Sequence, residues 1–113
     1  MDTREKIIGA ADAARKLSPE TRVVSGFFDP LLAWHAARLE EARAGAPALA
    51  VVIREPASPV LPARGRAELV AALRAVDWVI PDGAGAPAAD IRLEEEDSAR
   101  NAEFLAHLRL RQS

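Results

Sequence analysis

The residues most suited to chemistry lie close together between Gly26 and His35. Gly26 follows a short apolar run, and a glycine at the end of a strand lets a ligand approach the backbone closely. Asp29 and Pro30 are typical of a helix N-cap and the first helical residue, and a helix N-terminus offers free N–H groups to a phosphate. His35 would add a donor from the first turns of that helix. These residues predict a phosphate-sized site, although Gly26 is also consistent with a simple turn and His35 with core packing.

Other polar candidates lie in the last third of the chain. The acidic run Glu94–Asp97 is typical of a solvated helix start, and a divalent-cation site is its alternative. Ser98 is expected to cap the last helix, and His107 to lie on that helix's surface. No metal site is predicted from these residues.

The elements that must position these residues are four helices and four short strands, predicted from hydrophobic periodicity and turn residues. The helices are predicted at 5–17, 29–43, 63–75 and 98–111, and the strands at 22–26, 48–53, 77–80 and 90–93. The last helix would turn Phe104, Leu105 and Leu108 inward. The loop 81–87 is predicted to be mobile. Strands that alternate with helices indicate a parallel sheet, and ligands bind such sheets beyond the carboxyl ends of the strands.

Composition excludes several functions. The 113 residues suit one domain, and they carry a net charge of −2 with no basic stretch, which argues against a nucleic-acid partner. The absence of cysteine excludes disulfides, thiolate metal sites and a cysteine nucleophile. No apolar run is long enough for a membrane span, and no signal peptide follows Met1. A cytoplasmic protein that does not bind membranes is therefore expected.

The segment Val23–His35 resembles the first signature of the cytidylyltransferase-like nucleotidyltransferases. That family writes G-x-F-D, then two residues, then H-x-G-H. Within it, the chain is most similar to the adenylyltransferase domain of the bifunctional heptose-phosphate enzymes of lipopolysaccharide synthesis. The stretches Pro59–Arg66 and Leu73–Ile80, and a helix before the first strand, are also similar to that domain. The resemblance covers about residues 6–80 in the same order, apart from one shortening.

This resemblance implies a three-layer α/β/α Rossmann-like fold with a short parallel sheet that is shortened at its C-terminal end. A single domain would span 1–113, with a leading helix at 1–20, the family-like core at 21–80 and a divergent tail at 81–113. Members of the family join a nucleoside triphosphate to a phosphorylated small molecule and release pyrophosphate. Carried over to this chain, the nucleotide- and phosphate-binding residues would be Gly26, Phe27, Phe28, Asp29, His35 and Arg66, with His35 the only catalytic candidate. Contact with the loop and capping of a helix are the alternatives for Asp29, and a surface position is the alternative for Arg66.

The chain departs from the family pattern wherever the chemistry needs a donor. Leu32 replaces the first histidine, and Trp34 replaces the glycine, where its indole would either fill the phosphate space or swing outward. The usual lysine-bearing stretch after the second strand is missing, and the Ser/Thr-rich signature is reduced to the surroundings of Ser98. Each lost charge-stabilising donor costs about a hundredfold or more in rate. We therefore predict a catalytically inactive member, with a minimal active nucleotidyltransferase built on His35 as the alternative.

The expected partners follow from the same interpretation. An inactive member would retain at most weak binding of a nucleotide or sugar phosphate, or would act in protein interaction. No cofactor is expected, except Mg²⁺ if a nucleotide is bound. A shortened sheet would leave an exposed edge, and because such edges are usually paired or covered, a homodimer or a heteromer with a related protein is predicted.

Overall fold

The fold is a four-stranded parallel sheet with helices on both faces. The structure is a computed structural model that describes residues 2–81 and 85–112, and the side chains of 101, 104, 105 and 107–112 lie outside the description. The strands are β1 (Arg22–Gly26), β2 (Leu49–Ile53), β3 (Trp78–Ile80) and β4 (Ile91–Arg92). The helices are α1 (Ala10–Lys16), α2 (Ala33–Arg43), α3 (Ala63–Ala71) and α4 (Glu94–Gln112), preceded by a 3-10 turn at Thr3–Lys6. The strand order is β3-β2-β1-β4, with every pairing parallel. The predicted α/β class and parallel sheet are confirmed.

The sheet is buried on both faces, which explains why its strands are nearly continuous apolar runs. Side chains alternate between the faces along β1: Val24 packs with Leu39 of α2 and Val70 of α3, whereas Val23 packs with Ala13 of α1. The result is the predicted three-layer arrangement, with α2 and α3 on one face and α1 on the other.

The leading helix predicted at 5–17 is wrong in its first half. The 3-10 turn ends at Lys6, and the backbone is then extended through Gly9 before α1 begins. Ile7 forms a bridge with Val79 of β3, and the Ile8 N–H donates to the Val79 carbonyl at 2.9 Å. Pairing with the edge strand therefore replaces helical hydrogen bonds in this segment.

The other three helices also differ from their predicted bounds, and α2 begins at Ala33 rather than 29. α3 ends at Ala71 rather than 75, because the chain turns there, with the Val76 N–H donating to the Leu73 carbonyl at 3.2 Å before β3. α4 begins at Glu94, four residues before the predicted Ser98. Of the predicted mobile loop 81–87, residues 82–84 lie outside the described part of the chain, as do the side chains of Phe104, Leu105, His107 and Leu108.

The topology places the point where strand order reverses between β1 and the edge strand β4. From β1 the chain adds β2 and β3 on one side, and β4 joins the other side. The carboxyl ends of β1 and β4 therefore flank the point where strand order reverses, which is the usual ligand site in open parallel sheets. At the outer edge β4 pairs through two residues only, and association of this edge with a second chain stays a prediction. Across the described ranges, no helix is both long and apolar enough to cross a bilayer.

Candidate functional site

The turn that follows β1 presents two consecutive backbone N–H groups to a carboxylate from α4. The N–H groups of Phe27 and Phe28 donate to Asp97 Oδ2 at 2.7 and 3.2 Å. Phe28 has a φ of +50°, in the left-handed region. Successive N–H groups in such a turn form a concave anion site, or nest. Asp97 is only 1% exposed, so its carboxylate lies inside this site rather than above it.

His35 supplies a third donor to the same carboxylate. Its Nε2 lies 2.5 Å from Asp97 Oδ1, while its Nδ1 accepts the backbone N–H of Leu32 at 2.8 Å. Because Nδ1 is an acceptor, the hydrogen-bond network assigns the ring proton to Nε2, which donates to Asp97. His35 is 0% exposed. Both ring nitrogens are thus used within the protein, and we name the three N–H groups of Phe27, Phe28 and His35 the donor cradle.

Trp34 packs over the donor cradle. Its indole stacks on the His35 ring, with centroids 3.9 Å apart and planes 28° apart. The guanidinium of Arg100, from α4, lies 4.9 Å from the centroid of the Trp34 ring. The indole N–H is buried and has no hydrogen-bond partner in the described part of the chain. Trp34, at the family's glycine position, therefore covers His35 and contacts α4 from α2.

Asp29 does not cap a helix, so the predicted capping role is wrong, and the contact with a loop is the alternative that the structure confirms. α2 begins at Ala33, with Leu32 as its N-cap, whereas the Asp29 carboxylate accepts the backbone N–H groups of Val60 and Leu61 at 2.6 and 2.8 Å. The Asp29-Pro30 peptide bond is cis. The carboxylate is 3% exposed, so Asp29 ties the turn after β1 to the loop before α3.

Arg66 is fully buried, and the surface position proposed as its alternative is wrong. Each guanidinium nitrogen donates to an acceptor of the protein. Nε donates to the Leu61 carbonyl at 3.0 Å, and Nη1 to the carbonyls of Phe27 and Arg54, both at 2.9 Å. Nη2 donates to Glu55 at 3.0 Å. Arg66 therefore links the loops that follow β1 and β2 through its hydrogen bonds.

The acidic run at the start of α4 was predicted to be solvated, and this prediction is wrong for Asp97. Glu95 is exposed, but Asp97 is buried in the donor cradle. Ser98 is exposed and lies in the second turn of α4, so it does not cap the helix. Over the described ranges, no three His, Asp or Glu side chains are placed to hold a metal ion.

A cavity of about 590 Å³ opens near the carboxyl ends of β2 and β4. It is lined by Arg54, Arg92, Glu94 and Glu95. Two arginines offset two glutamates, and Arg54 Nε lies 3.9 Å from Glu94 Oε1. The described lining therefore has no net charge to attract a phosphate.

The structure thus brings part of the predicted site together. Gly26, Phe27, Phe28 and His35 meet in one place, and Asp29 and Arg66 brace the adjoining loops. Asp97 is the site residue that sequence reasoning missed. The sequence held no signal for it, because the burial of Asp97 follows from the pairing of β4 with β1.

Gly26 is needed for the close approach of Asp97, which gives a direct prediction. A Cβ on Gly26 would lie 2.9 Å from the Phe28 ring and 3.0 Å from Asp97 Oδ2. Gly26→Ala is expected to lower the free energy of unfolding by about 1–3 kcal/mol, the usual cost of overpacking a core. Urea denaturation would measure this change.

Gly65→Ala is the matched control for that experiment. A Cβ there would lie no closer than 3.7 Å to its nearest neighbour, Pro62. Since Gly65 lies within α3, alanine should stabilise the protein by about 0.5–1 kcal/mol. Equal effects at Gly26 and Gly65 would contradict the close packing described for the donor cradle.

Comparisons with known proteins find two bacterial relatives. The chain is 33% identical over 95 residues to the bifunctional protein HldE of Alkalilimnicola ehrlichii, a match that covers 76% of this chain and 20% of the relative. It is 34% identical over 91 residues to the bifunctional protein HldE of Chromohalobacter salexigens, covering 73% and 19%. The chain spans about one fifth of the length of these relatives. No protein-family model matches it. The two similarities support the cytidylyltransferase-like relationship indicated by residues 23–35.

Proposed function

We propose that this chain is a nucleotidyltransferase-like domain that does not transfer nucleotidyl groups. The observation that carries the proposal is the state of His35, the only catalytic candidate. Its side chain is 0% exposed, Nδ1 accepts the Leu32 N–H, and Nε2 is bound to Asp97. A group that must donate to a phosphate needs a free ring nitrogen that a substrate can reach, and this ring has neither.

The neighbouring residues support the same conclusion. Nucleotidyl transfer depends on preorganised donors aimed at the phosphates. The N–H groups of Phe27 and Phe28 already bind Asp97, and the guanidinium of Arg66 is bound by carbonyls and Glu55. Leu32, at the position of the family's first histidine, has no side-chain donor.

Charge offers a triphosphate no compensation at this place. The cavity near the carboxyl ends of β2 and β4 is lined by Arg54, Arg92, Glu94 and Glu95, so its described lining has no net positive charge. A triphosphate would therefore lack the donors that family members provide.

The proposal is tested by pyrophosphate release and thermal shift. Purified protein with Mg-ATP or Mg-CTP and a sugar phosphate is expected to release no pyrophosphate above the protein-free control. Its unfolding midpoint is expected to stay unchanged, although a ligand at a hundred times its Kd would add about 2.7 kcal/mol of stability. Pyrophosphate release above that control would contradict the proposal, and its loss in His35→Ala, in a sample shown by circular dichroism to be folded, would favour a minimal enzyme built on His35.

A further inference from the structure

We propose that Asp97 is a built-in ligand: its carboxylate occupies the donor cradle as a tethered oxyanion and excludes free carboxylates and phosphates from it. This inference rests on the proposed function, since it names what holds the site closed. The first turn of α4 would then act as an internal competitor of small oxyanions.

The hydrogen bonding of Asp97 is that of a bound anion. Oδ2 accepts both turn N–H groups, at 2.7 and 3.2 Å, and Oδ1 accepts the His35 Nε2 proton at 2.5 Å. All three donors lie more than sixty residues earlier in the chain. The turn is itself shaped for an anion, because Phe28 adopts a left-handed φ of +50° that is unfavourable for a bulky side chain.

The size of the cradle fits one small oxyanion. A Cβ added to Gly26 would lie 3.0 Å from Asp97 Oδ2, so the carboxylate rests directly against the glycine backbone. Phe28 and Trp34 pack on the His35 ring, with centroids 5.1 and 3.9 Å away. Removal of the carboxylate alone would leave three N–H donors around a space suited to formate or to one terminal phosphate group.

Tethering gives Asp97 the advantage over a free anion. A group held on the same chain competes at an effective concentration that free ligands rarely reach. α4 is held in place by further contacts, with Glu96 Oε2 3.5 Å from Arg38 Nε and Arg100 over the Trp34 ring. The native protein should therefore bind neither formate nor phosphate at this cradle.

Chemical rescue tests the inference. Asp97→Ala is expected to lower the unfolding midpoint in sodium chloride, and sodium formate or inorganic phosphate at equal ionic strength should raise it again by several degrees. The rise should saturate with anion concentration. Glu95→Ala is the matched control, because it removes the same charge from the same turn at an exposed position. It reports the general stabilisation that phosphate gives to any protein.

If Asp97→Ala does not fold in chloride, the same anions should restore its helical circular dichroism. Asp97→Ser provides a milder variant for the same measurement. Rescue of either variant beyond the shift of Glu95→Ala supports the inference, and a response of both variants no larger than that shift would overturn it. The wild-type pyrophosphate assay separates the two proposals. Pyrophosphate release overturns both, because the inference rests on the proposed function, and absent rescue without release overturns the built-in ligand only.

Discussion

Replacing Arg66 with methionine is expected to lower the free energy of unfolding by about 3–5 kcal/mol. The guanidinium is 0% exposed and is the shared partner of the carbonyls of Leu61, Phe27 and Arg54. Methionine fills similar volume but donates no hydrogen bond, so these acceptors lose their partner. A buried acceptor left unsatisfied costs about 1–3 kcal/mol. Urea denaturation followed by circular dichroism would measure the loss.

Arg64→Met is the matched control for Arg66. Arg64 lies on the same helix, is 62% exposed at its side chain and pairs with Glu68 at 3.3 Å. Surface pairs of this kind contribute about 0–1 kcal/mol. Arg66→Lys should fall between the two, because lysine keeps the charge but cannot reproduce the planar fork of donors. Equal stability of the two methionine variants would contradict the role of Arg66 in linking the two loops.

The strands could be predicted well, because a strand that is buried on both faces is a continuous apolar run in the sequence. β1 has the predicted bounds, and β2 and β3 begin one residue later than predicted. Such strands are short apolar runs between turn residues, and no distant partner is needed to recognise them. The start of α2 could not be predicted in this way. Asp29 followed by proline has the local pattern of a helix N-cap, but its carboxylate binds N–H groups about thirty residues later in the chain.

The candidate site could also be predicted only in part from the sequence. The segment from Gly26 to His35 contains the turn and two aromatic neighbours of the cradle, so its motif indicated where a site would form. Asp97 lies in a run of four acids, and sequence alone gives no reason for one to be buried and three to remain near solvent. Parallel pairing of β4 with β1 makes that choice, because it sets the first turn of α4 beside the turn after β1.

His35→Ala is expected to lower the free energy of unfolding by about 3–5 kcal/mol, which identifies His35 as a structural residue. Removing the ring donor from a buried carboxylate is strongly destabilising, because it leaves part of the carboxylate's charge without a hydrogen-bond donor. Asp97 would keep its two backbone donors and lose the ring donor at 2.5 Å. Loss of the ring would also leave a cavity beneath Trp34. Guanidinium denaturation of the variant would measure the combined effect.

A double-mutant cycle separates the hydrogen bond from the cavity. If His35 and Asp97 act as one unit, the double variant His35→Ala with Asp97→Ala should be more stable than the sum of the single losses predicts, by about 0.5–3 kcal/mol. Leu39→Ala is the control, because Leu39 is equally buried on α2 but has no polar group. The loss of unfolding free energy in Leu39→Ala should add to the loss in Asp97→Ala within about 0.5 kcal/mol. A coupling no larger than that of Leu39 would mean that His35 stabilises the protein by packing alone.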